Sequence, residues 1–146
     1  MRRPGFRDAM VALKLYELRR EPDLRTSRDL LRNHILGKEW DRIRELLDEE
    51  HAENLHLRQT LTYWELAASF VNRGLLHPYV YLDVCDEGLL LYAALEEHLP
   101  RIRKVRPRFA SQTEAVVRDH PVVRGRVLEL RSEVFKRRKE EGDQPS

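Results

Sequence analysis

TLTYWELAASFVNRGLLHPYVYLDVCDEGLLLYAALEEHL, residues 60–99, concentrates most of the apolar and aromatic side chains, and its reading decides the fold. Leu57, Leu61, Trp64, Ala68 and Val71 recur at spacings of four, three, four and three, which on a helix is one narrow stripe. Tyr63, Ala67 and Phe70 widen that stripe, and Arg58, Thr62, Glu65, Ser69 and Asn72 take the opposite side. The segment therefore predicts a helix with one buried face and one wet face. Gly74 supplies the left-handed residue that closes helices, and Pro78 pre-sets the first turn of the next one. Two antiparallel helices joined by a short turn follow from this. Leu89, Leu90, Leu91, Tyr92, Ala93, Ala94 and Leu95 then run without a polar side, the mark of a helix buried all round. A membrane span needs about twenty apolar residues, so this run belongs in the middle of a soluble bundle.

Upstream, FRDAMVALKLYELRR places Phe6, Met10, Leu13 and Leu18 among charges at loosely helical spacing, which predicts a first amphipathic helix stopped by Pro22. Thr26 or Ser27 is expected to cap a short second helix carrying Leu30, Leu31 and Ile35 and ended by Gly37. Trp40, Ile43, Leu46 and Leu47 predict a third helix over residues 38–50, and with no Gly or Pro in between it can run on into the helix of residues 52–73. Downstream, Pro100 and Pro107 break the chain around the basic segment RIRKVRPRF. Ser111, with Glu114 three residues on, reads as a capping box for a short helix containing Ala115, Val116 and Val117. His120 and Pro121 start a final helix, and the closing EEGDQPS has the composition of a disordered tail. The expectation is an all-α, single-domain bundle over residues 1–139, with five to seven helices around a buried central one. Its core lies in residues 24–109, its C-terminal amphipathic helix spans 121–139, and the tail is 140–146.

At 146 residues the chain fits one domain with one core. Its lone cysteine, Cys85, excludes an intramolecular disulfide framework and a multi-cysteine zinc site, and the start of the chain does not read as a signal peptide, so the cytoplasm is the expected compartment. The net charge of +2 hides a segregation: residues 1–38 sum to +5, residues 39–100 to −9 and residues 101–146 to +6. Basic ends around an acidic centre read as helices that attract one another, within the fold or between copies, ahead of a nucleic-acid patch that the acidic block would repel.

Glu53 and His56, three residues apart, are the candidate metal ligands, because on a helix they project to nearly one side as bundle metal sites require. That chemistry needs a second such pair on another helix, and the ordinary alternative is a histidine with a local hydrogen bond. Cys85 among Asp83, Asp86 and Glu87 reads as a buried, inert thiol rather than a nucleophile. Glu65 reads as a solvated or ion-paired side chain rather than a general base. No phosphate-binding glycine loop, nucleophile elbow or His-Glu-x-x-His pattern is present, so nothing in the sequence supports catalysis and no cofactor is expected. Arg101, Arg103, Lys104, Arg106 and Arg108 form a segment able to bind phosphates, whose plain alternative is a solvated connection. In the last helix Val123, Val127, Leu130 and Val134 make one tight stripe, and Leu128 and Phe135 lie to its side, as candidates for contact with another subunit. The function expected is a non-enzymatic protein-interaction or regulatory module, binding another protein or itself. A nucleic-acid-binding protein using the basic ends is the alternative, and a metal-dependent enzyme a more distant one.

The acidic helix, the segment Tyr63, Trp64 and Glu65, the turn Gly74, Leu75 and Leu76, and the Leu- and Tyr-rich helix closed by Pro100 together resemble the bacterial domain-of-unknown-function family 4760. The resemblance covers roughly Leu24 to Phe109. It implies a helical fold and a bacterial origin and brings no site residues; members often carry a transmembrane helix in front of the soluble part, which is not expected here.

Overall fold

The computed structural model describes residues 1–142, and every described element is helical. In chain order these are α1 (Phe6–Arg19), α2 (Pro22–Ile35), α3 (Trp40–Leu46), α4 (Asn54–Asn72), α5 (Pro78–Val84), α6 (Asp86–Leu95), a 3-10 turn (Glu96–His98), α7 (Leu99–Ile102), α8 (Ser111–Asp119) and α9 (Pro121–Gly142). Eight of the α-helices have seven residues or more, above the five to seven expected, because the chain bends at places that carry neither Gly nor Pro. At Cys85 (φ −116°, ψ 22°) the path turns from α5 into α6. Even there the Cys85 N–H donates to Tyr81 O at 2.9 Å and Leu89 N–H donates to Cys85 O at 3.2 Å, so the bend leaves neither backbone group unpaired.

Gly88 through Leu95 of α6 are all buried. This helix lies against α9 and α2, while α4 packs on α2 and α8, and α1 on α5. The stripe read from the sequence is the inner face of α4: Leu57, Trp64, Ala68 and Val71 are buried, joined by Tyr63, Ala67 and the polar Thr60. Gly74 closes α4 at φ +72°, and the Leu75 N–H returns to Phe70 O at 2.8 Å, the pairing of a left-handed C-terminal cap. On α9, Val123, Val127, Leu130 and Val134 are buried as one stripe.

Several local expectations are corrected. The third helix does not continue into the fourth. Asp48 Oδ1 accepts from Glu50 N–H at 3.0 Å, His51 Nδ1 accepts from Glu53 N–H at 3.1 Å, and the buried Asn54 side chain donates to Leu46 O at 2.8 Å. Side chains thus take backbone groups that a continuous helix would need. The second helix starts at Pro22, capped by the Glu21 carboxylate on Asp23 and Leu24 N–H (3.2 and 2.9 Å), so Thr26 and Ser27 lie inside it. The Ser111–Glu114 capping box does not form: Ala110, left-handed at φ 55°, precedes α8, and Glu114 instead accepts from Arg103 at 2.8 Å.

In α1 the residues that turn inward are Asp8, Ala12 and Leu15, leaving Phe6, Met10, Leu13 and Leu18 exposed. The buried Asp8 carboxylate decides that orientation. It accepts from the Arg2 guanidinium (2.6 Å), Gly5 N–H (2.8 Å) and His77 N–H (2.7 Å), fastening the start of α1 to the start of α5. At the other end of the chain α9 runs to Gly142, so Glu140–Gly142 belong to a helix rather than to the expected tail; residues 143–146 of that tail lie outside the described residues.

Candidate functional site

Glu53 sits just ahead of α4 and His56 in its first turn. Their side chains meet, with His56 Nε2 3.5 Å from Glu53 Oε2, and α2 brings in a histidine that sequence spacing did not single out: His34 Nε2 lies 3.9 Å from the same oxygen. The remaining ring nitrogens are engaged. His56 Nδ1 pairs with the Ser27 hydroxyl at 2.8 Å, which also contacts Gln59, and His34 Nδ1 faces the Arg42 guanidinium at 3.0 Å. Ser27 is buried, so the order Ser27, His56, Glu53 does not present a nucleophile to a substrate. Among the described residues no group of three or more His, Cys, Asp or Glu is arranged to hold a metal ion. The Arg42 charge against His34 also disfavours a cation there. The cluster joins α2 to the start of α4 through polar contacts.

Burial pushes the Cys85 thiol up to about 12, with nearby Arg19 opposing it; the cause is burial rather than the acidic neighbours in sequence, and the outcome is an inert sulfur. Glu65 proves neither solvated nor ion-paired. Its carboxylate reaches across to α8 and accepts from Gln112 N–H (2.9 Å), Thr113 N–H (3.0 Å) and the Thr113 hydroxyl (2.7 Å). It therefore supplies, from another helix, the N-terminal cap that α8 lacks locally. The basic connection is also engaged in structure. Arg101 stands over the Trp40 ring at 5.4 Å, Arg103 binds Phe109 O and Glu114, and Arg106 donates to Leu47 O at 3.1 Å. Lys104 and Arg108 are exposed.

The charge segregation resolves within the one chain. Arg126 forks onto Asp86 (2.7 and 2.8 Å), Arg131 pairs with Glu96, Arg138 with Glu97, and Arg28 of α2 with Glu87. Arg131 is thus engaged within its own chain.

Among the described residues three apolar surfaces stand out, one of them a groove of about 550 Å³ between α2 and α4 that Leu24, Leu55, Tyr63 and Leu66 line together with Glu21, Asp23 and Arg58. Leu128 and Phe135 on α9 are half-exposed, each flanking the buried stripe as its spacing implies, and Phe135 borders a small recess with Ala93 and Val134. The least charged of these surfaces lies on the first helix. Phe6 is 79 % exposed and Leu13 63 %, and Phe6, Met10 and Leu75 border Val11 and Phe70. Phe6, Met10, Val11, Phe70 and Leu75 enclose a groove of about 330 Å³ in which Arg7 is the only charged lining residue. Exposed apolar side chains gathered on one face are a contact signal, whereas scattered ones are not. The clue in the sequence was Asp8: a carboxylate fixed inward turns Phe6, Met10 and Leu13 out.

Among the described residues no helix is long and apolar enough to cross a membrane. The family described as Domain of unknown function (DUF4760) matches residues 4–119, a wider span than the resemblance seen in the sequence, and the chain belongs to that family. No curated protein and no solved structure matches the chain.

Proposed function

We propose that this DUF4760 domain is a non-enzymatic protein-interaction module of the bacterial cytoplasm, and that its docking face is the outward side of α1. The observation that carries this reading is the apolar groove of Phe6, Met10, Val11, Phe70 and Leu75. Support also comes from what surrounds it. Arg3, Arg7 and Lys14 are exposed on the same segment, so the fitting partner is a protein that offers an apolar ridge bordered by acidic side chains. A second copy of this chain is one such partner, since Leu128 and Phe135 on α9 give it apolar ridges of its own. Catalysis is disfavoured by the chemistry present: the Cys85 thiol is pushed up to about 12, Ser27 is buried, and the His34, Glu53 and His56 groups contact one another or neighbouring side chains. Nucleic-acid binding through residues 101–108 is disfavoured because Arg103 and Arg106 are engaged by carbonyls and carboxylates of their own chain.

The test is a benzophenone photocrosslinker at Phe6, compared with one at the exposed Arg44 on α3, in cells and on purified protein. A discrete crosslinked product from position 6, lost on Met10→Asp, is expected. Equal labelling from both positions, or none from either, refutes the docking face. A steep fall of DNA or RNA binding with rising salt would replace this reading with the nucleic-acid one.

A further inference from the structure

A cleft of about 410 Å³ opens where α6, α7, α8 and the start of α9 meet, apart from the α1 groove. Its apolar side is made by the Tyr92 ring with Leu99, Pro100 and Val117. Tyr92 is 6 % exposed and lines the cleft, and its hydroxyl makes no hydrogen bond to any described residue. Although most of the ring is buried, the hydroxyl is not a buried orphan: its oxygen stays open to solvent.

The charged rim is asymmetric. Glu96 is held by Arg131, Glu114 by Arg103 at 2.8 Å, and Arg118 by Asp119 at 2.9 Å. Arg124, by contrast, makes no side-chain hydrogen bond or ion pair with any described residue, although it lines the same cleft. Arg103, Arg124, Glu96 and Glu114 all act on the Tyr92 phenol, so these groups share one small space with it. The site thus offers one free guanidinium, one free hydroxyl and an apolar wall. Glu96 and Glu114 at the rim oppose a second negative charge. Cavities of this size take small molecules whose few polar groups are met by few, well-placed side chains.

We propose that this cleft binds a small monocarboxylate with a flat apolar body, its carboxylate on the Arg124 guanidinium, its body against Leu99 and Val117, and an oxygen on the Tyr92 hydroxyl. A guanidinium fork matches the two oxygens of a carboxylate. The proposal stands on residues that the docking face does not use, and either one can fail alone.

The experiment follows amide and methyl NMR shifts of the full chain on titration with phenylacetate, with phenylacetamide and phenyl phosphate as comparators. Saturable shifts confined to Tyr92, Leu99, Val117 and Arg124 are expected with phenylacetate. Arg124→Gln, an exposed position that leaves folding intact, should weaken this binding about tenfold, the loss of one charge-assisted contact. Tyr92→Phe, which keeps the ring, should weaken it by a smaller factor. The amide should bind about tenfold less well than the acid for the same reason. No saturation, shifts centred elsewhere, equal binding of acid and amide, tighter binding of the phosphate, or an Arg124→Gln protein that binds like wild type would each overturn the site.

Discussion

Gly88 and Gly125 both lie inside helices, yet alanine should act on them with opposite signs. Replacing a mid-helix glycine by alanine gains about 1 kcal/mol in backbone entropy and helix propensity where the new methyl has room. At Gly125, on α9, a Cβ would meet nothing within 4 Å. Gly125→Ala should therefore stabilise the protein by about 0.5–1 kcal/mol. At Gly88 the same Cβ would lie 2.7 Å from Trp64 Cδ2, 2.8 Å from Cε3 and 2.9 Å from Cγ, separations that van der Waals radii forbid. The indole is a rigid plane, 3 % exposed, with its neighbour Tyr63 edge-on at 4.7 Å between ring centroids. Buried and flanked by that ring, it cannot yield without rearrangement, so α6 and α4 must part or the indole must leave its rotamer. Overpacking of this kind costs about 1–3 kcal/mol, and three simultaneous contacts with a rigid ring put Gly88→Ala near the upper end. Set against the propensity gain of about 1 kcal/mol, the net loss is about 2 kcal/mol. Urea melts followed by far-ultraviolet circular dichroism measure both variants: the midpoint should fall for Gly88→Ala and rise for Gly125→Ala, at unchanged slope. A Gly88→Ala protein as stable as wild type would refute the close packing of α6 on Trp64.

Three further outcomes follow from single side chains. Glu65→Ala removes the cap of α8 and should cost about 1–2 kcal/mol; amide exchange should accelerate first at Gln112 and Thr113, and uniform acceleration over the whole chain would count against a local cap. The Asp8 carboxyl is held well below its ordinary value of 3.8, chiefly by the Arg2 guanidinium and then by the Gly5 and His77 N–H groups. A lowered folded-state pKa stabilises above the unfolded value and is lost as pH falls towards the folded one. Acid melts of wild type should therefore lose stability below about pH 4, Asp8→Asn should flatten that dependence, and an unchanged profile would remove Asp8 from this role. Finally, Cys85, 1 % exposed and pushed up to about 12, should react with a disulfide reagent at neutral pH only as fast as the protein unfolds; immediate labelling of the native protein would place the thiol elsewhere.

What could be read in the sequence was whatever depends on a residue and its near neighbours. The α4 stripe, the closure at Gly74, the start of α5 at Pro78, the apolar run 89–95 of α6 and the Val and Leu stripe of α9 are local patterns, and each is present. What could not be read has a partner far along the chain. Glu65 caps a helix 47 residues away, Asp8 accepts from His77 N–H 69 residues away, and His34 joins the pair Glu53 and His56 from another helix. The misplaced face of α1 is of the same kind. Phe6, Met10, Leu13 and Leu18 outnumber Ala12 and Leu15 as large apolar side chains, so apolar count alone points the wrong way, and a single buried carboxylate with three donors outweighs it. Breaks in the chain at Cys85 and before Asn54 were invisible because neither contains Gly or Pro, the usual punctuation.

The charge pattern shows why a local reading of electrostatics can be right in sign and still leave its role open. Ion pairs with one partner a third to a half exposed, as Arg126 and Asp86 are, contribute about 0–1 kcal/mol each, too little to hold α9 on the bundle. Burial of Val123, Val127, Leu130 and Val134 does that, at about 1.5 kcal/mol or more per side chain. Yet apolar burial carries no direction, and α6, apolar on every side from Gly88 to Leu95, has no polar face along that run with which to choose its register against α9. The arginines supply that choice. Arg126 meets Asp86 at the start of α6, and Arg131 and Arg138 meet Glu96 and Glu97 beyond its end, so the two helices run parallel with their registers pinned at both ends. Asp86 also lies in the first turn of α6, where a negative charge suits the helix dipole. The opposed charges of residues 39–100 and 101–146 therefore select one arrangement among several that bury the same apolar surface, and Arg124, on the same helix but turned towards the Tyr92 cleft, is left outside that pattern.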